Sequence, residues 1–363
     1  MKILNLPIVR ALRSVQKIQP SQCSPSLSNN RFSTNVCQEE KSFYITTPIF
    51  YVNASPHIGH LYSAVIADCQ NRYKQLRGFR TKFSTGTDEH GLKIQQAAET
   101  AGEHPLVFCT NVSEKFKYLF DTTSISYTDY IRTTELRHRL AVEHIWSVLR
   151  DKGLIYKGCY EGWYSTQDES FLMASQVGDA VDSSGKSVKI SLESGHKVEW
   201  MKEENYMFRL STFRHQLLDW LKANPNAVQP ERFYHTVVQS LQDELPDLSV
   251  SRQKSRLQWG IPVPGDPNQT IYVWLDALVN YLTVAGYPGK YQQWWNVAHH
   301  VVGKDILKFH AIYWPAFLLG AGLPLPQSIY VHSHWTVGGK KMSKSLGNVV
   351  DPIERSMCLL LMV

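Results

Sequence analysis

Cysteine is scarce and scattered in this 363-residue chain. Its six cysteines, Cys23, Cys37, Cys69, Cys109, Cys159 and Cys358, include no Cys-x-x-Cys pair. That spacing argues against a disulfide framework and against a zinc knuckle, so no metal site is expected, and free thiols suit a reducing compartment. Long apolar runs are also missing. The terminal stretch Cys358 to Val363 is only six residues, far short of the roughly 18–20 that cross a bilayer, so no membrane partner is expected. Acidic charge is lacking at the start: no Asp or Glu precedes Glu39, whereas Lys2, Arg10, Arg13, Lys17 and Arg31 do. Those five carry most of the net charge of +6, because the other 33 Lys and Arg face 32 Asp and Glu. Overall charge therefore gives no argument for a polyanion partner, and any such argument rests on local patches.

The opening segment is basic and rich in Ser, Asn and Gln. Ile3, Leu4, Ile8, Ala11, Leu12 and Val15 form one apolar helical face, with Arg10, Arg13 and Lys17 opposite. There is no continuous apolar core of a secretory signal. This is the composition of a mitochondrial transit peptide over residues 1–40, with a plain disordered tail as the alternative, and the mature protein is expected in the mitochondrial matrix.

From Lys41 onward β-prone and helix-prone runs alternate every 30–40 residues or so, the pattern of a doubly wound parallel α/β sheet. Strands are expected at 43–47, 82–84, 127–132, 271–274, 300–303 and 328–332. Helices are expected at 59–76, 92–102, 106–120, 135–151, 211–223, 230–242, 276–284 and 305–320. Residues 154–207 break the alternation with short β-prone runs, Gly178, Gly185, Gly195 and a Ser-rich middle; they read as a small β-rich insertion.

Two motifs carry chemistry. His57-Ile58-Gly59-His60 lies between a strand and a helix start, where backbone N–H groups favour anions. Gly59 lets a flat base approach the backbone, and two imidazoles can donate to phosphate oxygens. Near the other end, Lys341-Met342-Ser343-Lys344-Ser345 follows Gly338-Gly339-Lys340 and precedes Leu346-Gly347. Glycines on both sides make a mobile loop, whose ammonium groups can close on a triphosphate. Alone, each motif is weak: a histidine at a helix start is often a cap, and a Lys-rich loop is often a solvated turn. In this order, at opposite ends of an α/β pattern, they are far more specific.

Together they resemble the signature of class I aminoacyl-tRNA synthetases, and the surrounding sequence resembles the methionyl-tRNA synthetases of mitochondrial and bacterial type. The resemblance runs from about Ser42 to Pro352 and includes Thr46 to Asn53, Gly86-Thr87-Asp88-Glu89-His90-Gly91, Tyr272-Val273-Trp274-Leu275-Asp276-Ala277 and Gly303-Lys304-Asp305-Ile306. It implies a Rossmann-like catalytic domain that activates methionine with ATP, accompanied by Mg2+, and passes it to tRNA(Met). By this resemblance His57, His60, Arg252 and Lys344 are catalytic. Asn53, His57, Gly59, His60, Asp305, Lys341 and Lys344 bind ATP. Asp88 holds the substrate ammonium, and Tyr51, Trp274, Ala277, Tyr281, Ile306 and His310 line the side-chain pocket. Taken without that context, Trp274 and Tyr281 read as core residues.

Some features depart from the family pattern. The insertion holds only Cys159 at its edge, so structural zinc is not expected. It is too short for the large editing domain of the isoleucine, valine and leucine enzymes. Leu278 stands where many relatives have proline. After Pro352 the tail Ser356 to Val363 no longer resembles the family, which implies that the helical anticodon-binding domain is absent. The domain organisation expected is a leader (1–40), a first catalytic half (41–153), a connective insertion (154–207), a second half with the lysine loop (208–352) and an atypical tail (353–363). Two alternatives stay open: a truncated form that keeps only the fold or adenylation, and another class I synthetase or nucleotidyltransferase with the same two motifs. Fused to a reporter, residues 1–40 are expected to deliver it to mitochondria by microscopy; a cytosolic reporter removes the targeting expectation.

Overall fold

Successive side chains of a strand point to opposite faces, so a strand apolar at every position is buried on both. The first strand, β1 (Ser42–Thr46), does this: Tyr44 enters one core cluster while Phe43 and Ile45 enter another. Such a strand belongs in the middle of a sheet covered by helices on both sides. The computed structural model describes residues 41–166, 170–172, 174–182, 185–337, 340–341 and 350–353. The leader 1–40, Lys344 and the tail beyond Ile353 lie outside the described residues.

The central sheet is parallel throughout. On one side of β1 lies β3 (Arg80–Asp88), and beyond it β4 (Asp129–Arg132). The two-residue strand β2 (Phe50–Tyr51) continues the line of β1. Ser84 pairs with both Thr46 and Asp129, and Thr87 with both Phe50 and Arg132, so β1 and β2 share one edge of β3. On the other side of β1 the strands Ala298–Gly303, Ser328–His332 and Val228–Gln229 follow in that spatial order. The direction of winding reverses at β1, which opens a crevice beyond the carboxyl ends of β1 and Ala298–Gly303.

Helices α1 (Ile58–Leu76), α2 (Leu92–Ala101) and α3 (Pro105–Thr122) cover one face, through Ala64, Ala67, Ile94, Phe116 and Phe120. Helix α4 (Leu136–Asp151) packs on the other with the helices Arg214–Ala223, Glu231–Ser240, Val273–Ala285 and Trp314–Ala321. The run after Gly153 forms antiparallel strands Ile155–Ser165 and Glu199–Phe208, paired from Ile155 opposite Phe208 to Tyr164 opposite Glu199.

Three expectations are corrected. The strand read at 82–84 extends over 80–88; Gly86 and Asp88 are poor strand formers, and pairing on both edges overrides them. The apolar run Ile271–Trp274 is not one strand. The strand Asp266–Ile271 is antiparallel to Ser251–Gln253, Tyr272 caps, and Val273 and Trp274 begin a helix. That helix is buried on nearly every side, so it shows no amphipathic period to betray it. The helix read at 305–320 is broken: a 3-10 turn at Lys304–Ile306, a π turn at Phe309–Tyr313, then α-helix from Trp314. Pro315 lacks the N–H that a continuous helix requires at that point.

Gly86 lets β3 and β4 approach closely. A Cβ there would lie 1.9 Å from the Ile131 carbonyl oxygen, backbone against backbone. Gly86→Ala must therefore part β3 from β4. It is expected to lower stability by about 3 kcal/mol or more, read from a denaturant midpoint; an unchanged midpoint contradicts the packing described.

Candidate active site

Helix α1 starts in the crevice, and its amino end is capped by the histidine motif itself. Gly59 N–H donates to His57 Nδ1 at 3.1 Å and His57 N–H donates to His60 Nδ1 at 3.0 Å, a reciprocal capping box made of imidazoles. The rings stack with centroids 3.7 Å apart. Because each Nδ1 accepts, the neutral ring carries its proton on Nε2, so the outer edge of each ring is a donor. Gly59 is needed for this geometry: a Cβ would meet the His57 ring at 2.9 Å.

The chain after the lysine motif returns to this helix. Ile58 N–H donates to the Val350 carbonyl at 3.1 Å. Before the motif, Thr336–Val337 pairs with Lys340–Lys341, so the backbone of Lys341 lies in a short hairpin. Lys344, proposed from sequence as catalytic, lies outside the described residues. Asn53 is exposed on the loop leading to the motif. Asp305 is exposed on the turn after the strand Ala298–Gly303, with His334 Nε2 3.0 Å from its carboxylate. His332, not singled out from sequence, joins these elements. Its Nε2 contacts Ser63 Oγ on α1 at 2.8 Å, and it lies close to Gly303. Burial lowers its pKa.

The residues expected to form the side-chain pocket do come together. Tyr51 is the register partner of Asp88 at the end of β3. Val52 N–H donates to the Asp88 carbonyl. Tyr281 is buried, which raises its pKa, and Asp88 lies near enough to raise it further. His310 Nδ1 faces the Ile306 carbonyl at 2.9 Å and its Nε2 faces the Tyr281 hydroxyl at 2.7 Å. A carbonyl only accepts, so Nδ1 carries the proton, and Tyr281 donates to Nε2. These polar atoms satisfy one another and leave an apolar wall. Trp274 stacks on Phe309 with centroids 3.6 Å apart, and its ring stands edge-on to His310 at 6.5 Å. Ala277 is buried on the same helix as Trp274 and Tyr281. Sequence reading missed Phe309, although it adjoins His310.

Arg252 is placed by a different element, the strand Ser251–Gln253. It is 5% exposed, with its guanidinium 4.5 Å from the Tyr272 ring and 5.2 Å from the Tyr164 ring. Burial works against its charge, and Tyr164, Tyr272 and Glu203 together more than offset this. Tyr164 comes from the insertion, so that segment reaches Arg252.

The loop carrying Asp88 is pinned by residues that sequence did not single out. Buried Glu89 receives two bonds from Arg132, at 2.7 and 3.1 Å, and others from Thr87 and Thr134. His90 Nδ1 meets Asp276 Oδ2 at 2.6 Å, and His138 Nε2 meets Asp276 Oδ1 at 2.7 Å. Burial raises the pKa of Asp276, but the two histidines overcome this and leave it at about 2. The one available signal was three consecutive ionisable residues, Asp88-Glu89-His90, at the end of a buried strand. Among the described residues, no group of three His, Cys, Asp or Glu is placed to hold a metal ion.

Residues 43–359 match the family described as tRNA synthetases class I (M). The chain belongs to that family. The match passes seven residues beyond Pro352, into the tail read as atypical. This synthetase chain is 78% identical over 318 residues to the mitochondrial methionine–tRNA ligase of Takifugu rubripes, covering 88% of this chain and 54% of that protein. It is 66% identical over 313 residues to the Homo sapiens mitochondrial methionine–tRNA ligase, covering 85% and 53%. Its fold matches Mycobacterium tuberculosis methionyl-tRNA synthetase in complex with methionyl-adenylate, with a TM-score of 0.83 at 40% identity, over 88% of this chain and 62% of that one. The chain thus spans about half the length of the curated relatives it matches.

The buried histidines have a consequence for stability. Burial holds His310 at about 4 and His300 well below its ordinary value. As pH falls from about 6.5 toward 4, the unfolded chain takes up protons at these rings that the folded chain refuses, so stability is lost across that window. His310→Gln is expected to recover roughly 2 kcal/mol of that loss at pH 5 relative to its effect at pH 7.5. Denaturant midpoints check this; an equal shift at both pH values overturns it.

Proposed function

We propose that this chain is the catalytic part of a mitochondrial methionine–tRNA ligase. The observation that carries the proposal is the self-satisfied Tyr281–His310–Ile306 wall beside the buried carboxylate of Asp88: an apolar, polarisable slot with a single anionic end. That combination suits a thioether side chain with its ammonium group. A donor-bearing helix start and the Gly303–Asp305 turn lie across the same crevice and suit a nucleotide. The names of the relatives support the same choice over other class I activities, and their mitochondrial naming agrees with the basic leader.

The chemistry proceeds in two steps. The methionine carboxylate oxygen attacks the α-phosphorus of ATP, and the bond to the β-phosphate bridging oxygen breaks with release of pyrophosphate. A hydroxyl of the 3′-terminal ribose of tRNA(Met) then attacks the carbonyl carbon, and AMP leaves. No covalent enzyme intermediate is needed, so the protein positions reactants and stabilises charge. We assign His57 and His60, through their Nε2–H edges, to the phosphates. Gly59 lies under adenine, Asn53 supports the phosphates and Asp305 takes the ribose. Arg252 faces the reacting carboxylate and α-phosphate, and Lys341 and Lys344 face the departing pyrophosphate. Asp88 holds the ammonium, and Tyr51, Trp274, Ala277, Tyr281, Ile306 and His310 enclose the side chain. Mg2+ enters with ATP, held mainly by phosphate oxygens and water. The catalytic domain comprises 41–153 and 208–352, with 154–207 as its insertion.

Removing one charge-stabilising contact typically lowers the rate about a hundredfold, or ~3 kcal/mol. His60→Ala and Lys344→Ala are each expected to reduce methionine-dependent ATP–pyrophosphate exchange by about that factor. Near-wild-type exchange in either variant refutes the assignment. Charging of tRNA(Met) measured alongside separates adenylation from transfer.

A further inference from the structure

We propose that Asp276 is a positioning residue for methionine, holding the ammonium-binding loop at 88–91 in register with the helix that lines the side-chain pocket. This rests on the site assignment above. The carboxylate is fully buried and receives a different histidine on each oxygen, His90 at 2.6 Å and His138 at 2.7 Å. His90 lies two residues from Asp88. Asp276 itself lies two residues after Trp274 and next to Ala277. The node therefore joins the two walls of one pocket through hydrogen bonds at both ends.

His138 on α4 fixes the helix at a second point. Its Nδ1 lies 3.1 Å from Thr283 Oγ1, two turns beyond Asp276 on the same helical face. A rotation of the helix about its axis breaks both contacts at once. The loop side is fixed equally firmly: Glu89 by Arg132, and Gly91 N–H by the Trp259 carbonyl at 3.1 Å. Asp88 immediately precedes these anchors, and its own carbonyl accepts from Val52 N–H. None of the anchoring groups is assigned to substrate. If the pair merely stabilised the fold, its loss would weaken every ligand alike. A register device instead weakens ligands that span both walls and spares the nucleotide.

The test compares wild type, His90→Leu and His90→Asn in the full chain. Binding of L-methionine, of L-methioninol (which keeps the amine and lacks the carboxylate) and of ATP is measured at equilibrium. His90→Leu is expected to weaken both amines by the same factor, about tenfold, with ATP affinity within twofold of wild type. His90→Asn, whose amide N–H sits close to the position of Nδ1, is expected to recover amine binding to within threefold. Unchanged amine affinity in His90→Leu overturns the proposal, as does a parallel loss of ATP affinity. If His90→Leu does not fold, Thr283→Val serves: a methionine loss of about threefold with ATP unchanged supports the proposal, and no loss overturns it. A wild-type chain that binds ATP but neither amine refutes the underlying site assignment instead.

Discussion

Asp88, Glu89 and His90 are three consecutive ionisable residues, all buried at the carboxyl end of a central strand. Burying a charge without a partner is so unfavourable that removing one member of a buried pair typically costs about 3–5 kcal/mol. The surrounding structure answers that demand residue by residue. Arg132 reaches Glu89 from the next strand, and Asp276 reaches His90 from a helix far along the chain. Trp259 donates its ring N–H to the Glu89 carbonyl and accepts from Gly91 N–H. What results is a loop tied down at Glu89, His90 and Gly91, directly after Asp88. Preorganisation of this kind means that a ligand does not have to order the loop when it binds.

Legibility from sequence followed the reach of each interaction. Local signals were readable: the apolar β1, the histidines at the start of α1, and the end of that helix at residue 76. The residues of the side-chain pocket were readable only through resemblance, because nothing in the spacing of Tyr51, Asp88, Tyr281 and His310 announces that they meet. The run Asp88-Glu89-His90 was a signal, but the partners of its anchors were not readable. Glu89 and Arg132 are separated by 43 positions, and His90 and Asp276 by 186, and a titratable residue carries no mark of its partner. The helix beginning at Val273 was misread for a different reason: a helix submerged in the core has no polar face, and β-branched and aromatic residues then look like strand.

The histidine motif shows how a structural and a chemical reading can both hold. A histidine at a helix start is often a cap, and here both histidines are caps. Capping consumes the Nδ1 side of each ring and thereby fixes which nitrogen carries the hydrogen. Capping thus leaves on each ring the N–H edge that the proposed function assigns to phosphate, and Gly59 leaves room for the His57 ring.

The bond from Ile58 to Val350 joins residues near opposite ends of the described chain, and Thr46 and His300 make a second such contact, at 2.9 Å. A chain delivered amino end first, from a ribosome or through a membrane, presents its central strand long before the strand Ala298–Gly303 arrives to cover that edge. An uncovered apolar edge is a template for pairing with other chains. Closing such wide loops also slows folding more than it weakens the folded state. The contacts that join these distant segments therefore leave the apolar edge of β1 uncovered until most of the chain is present.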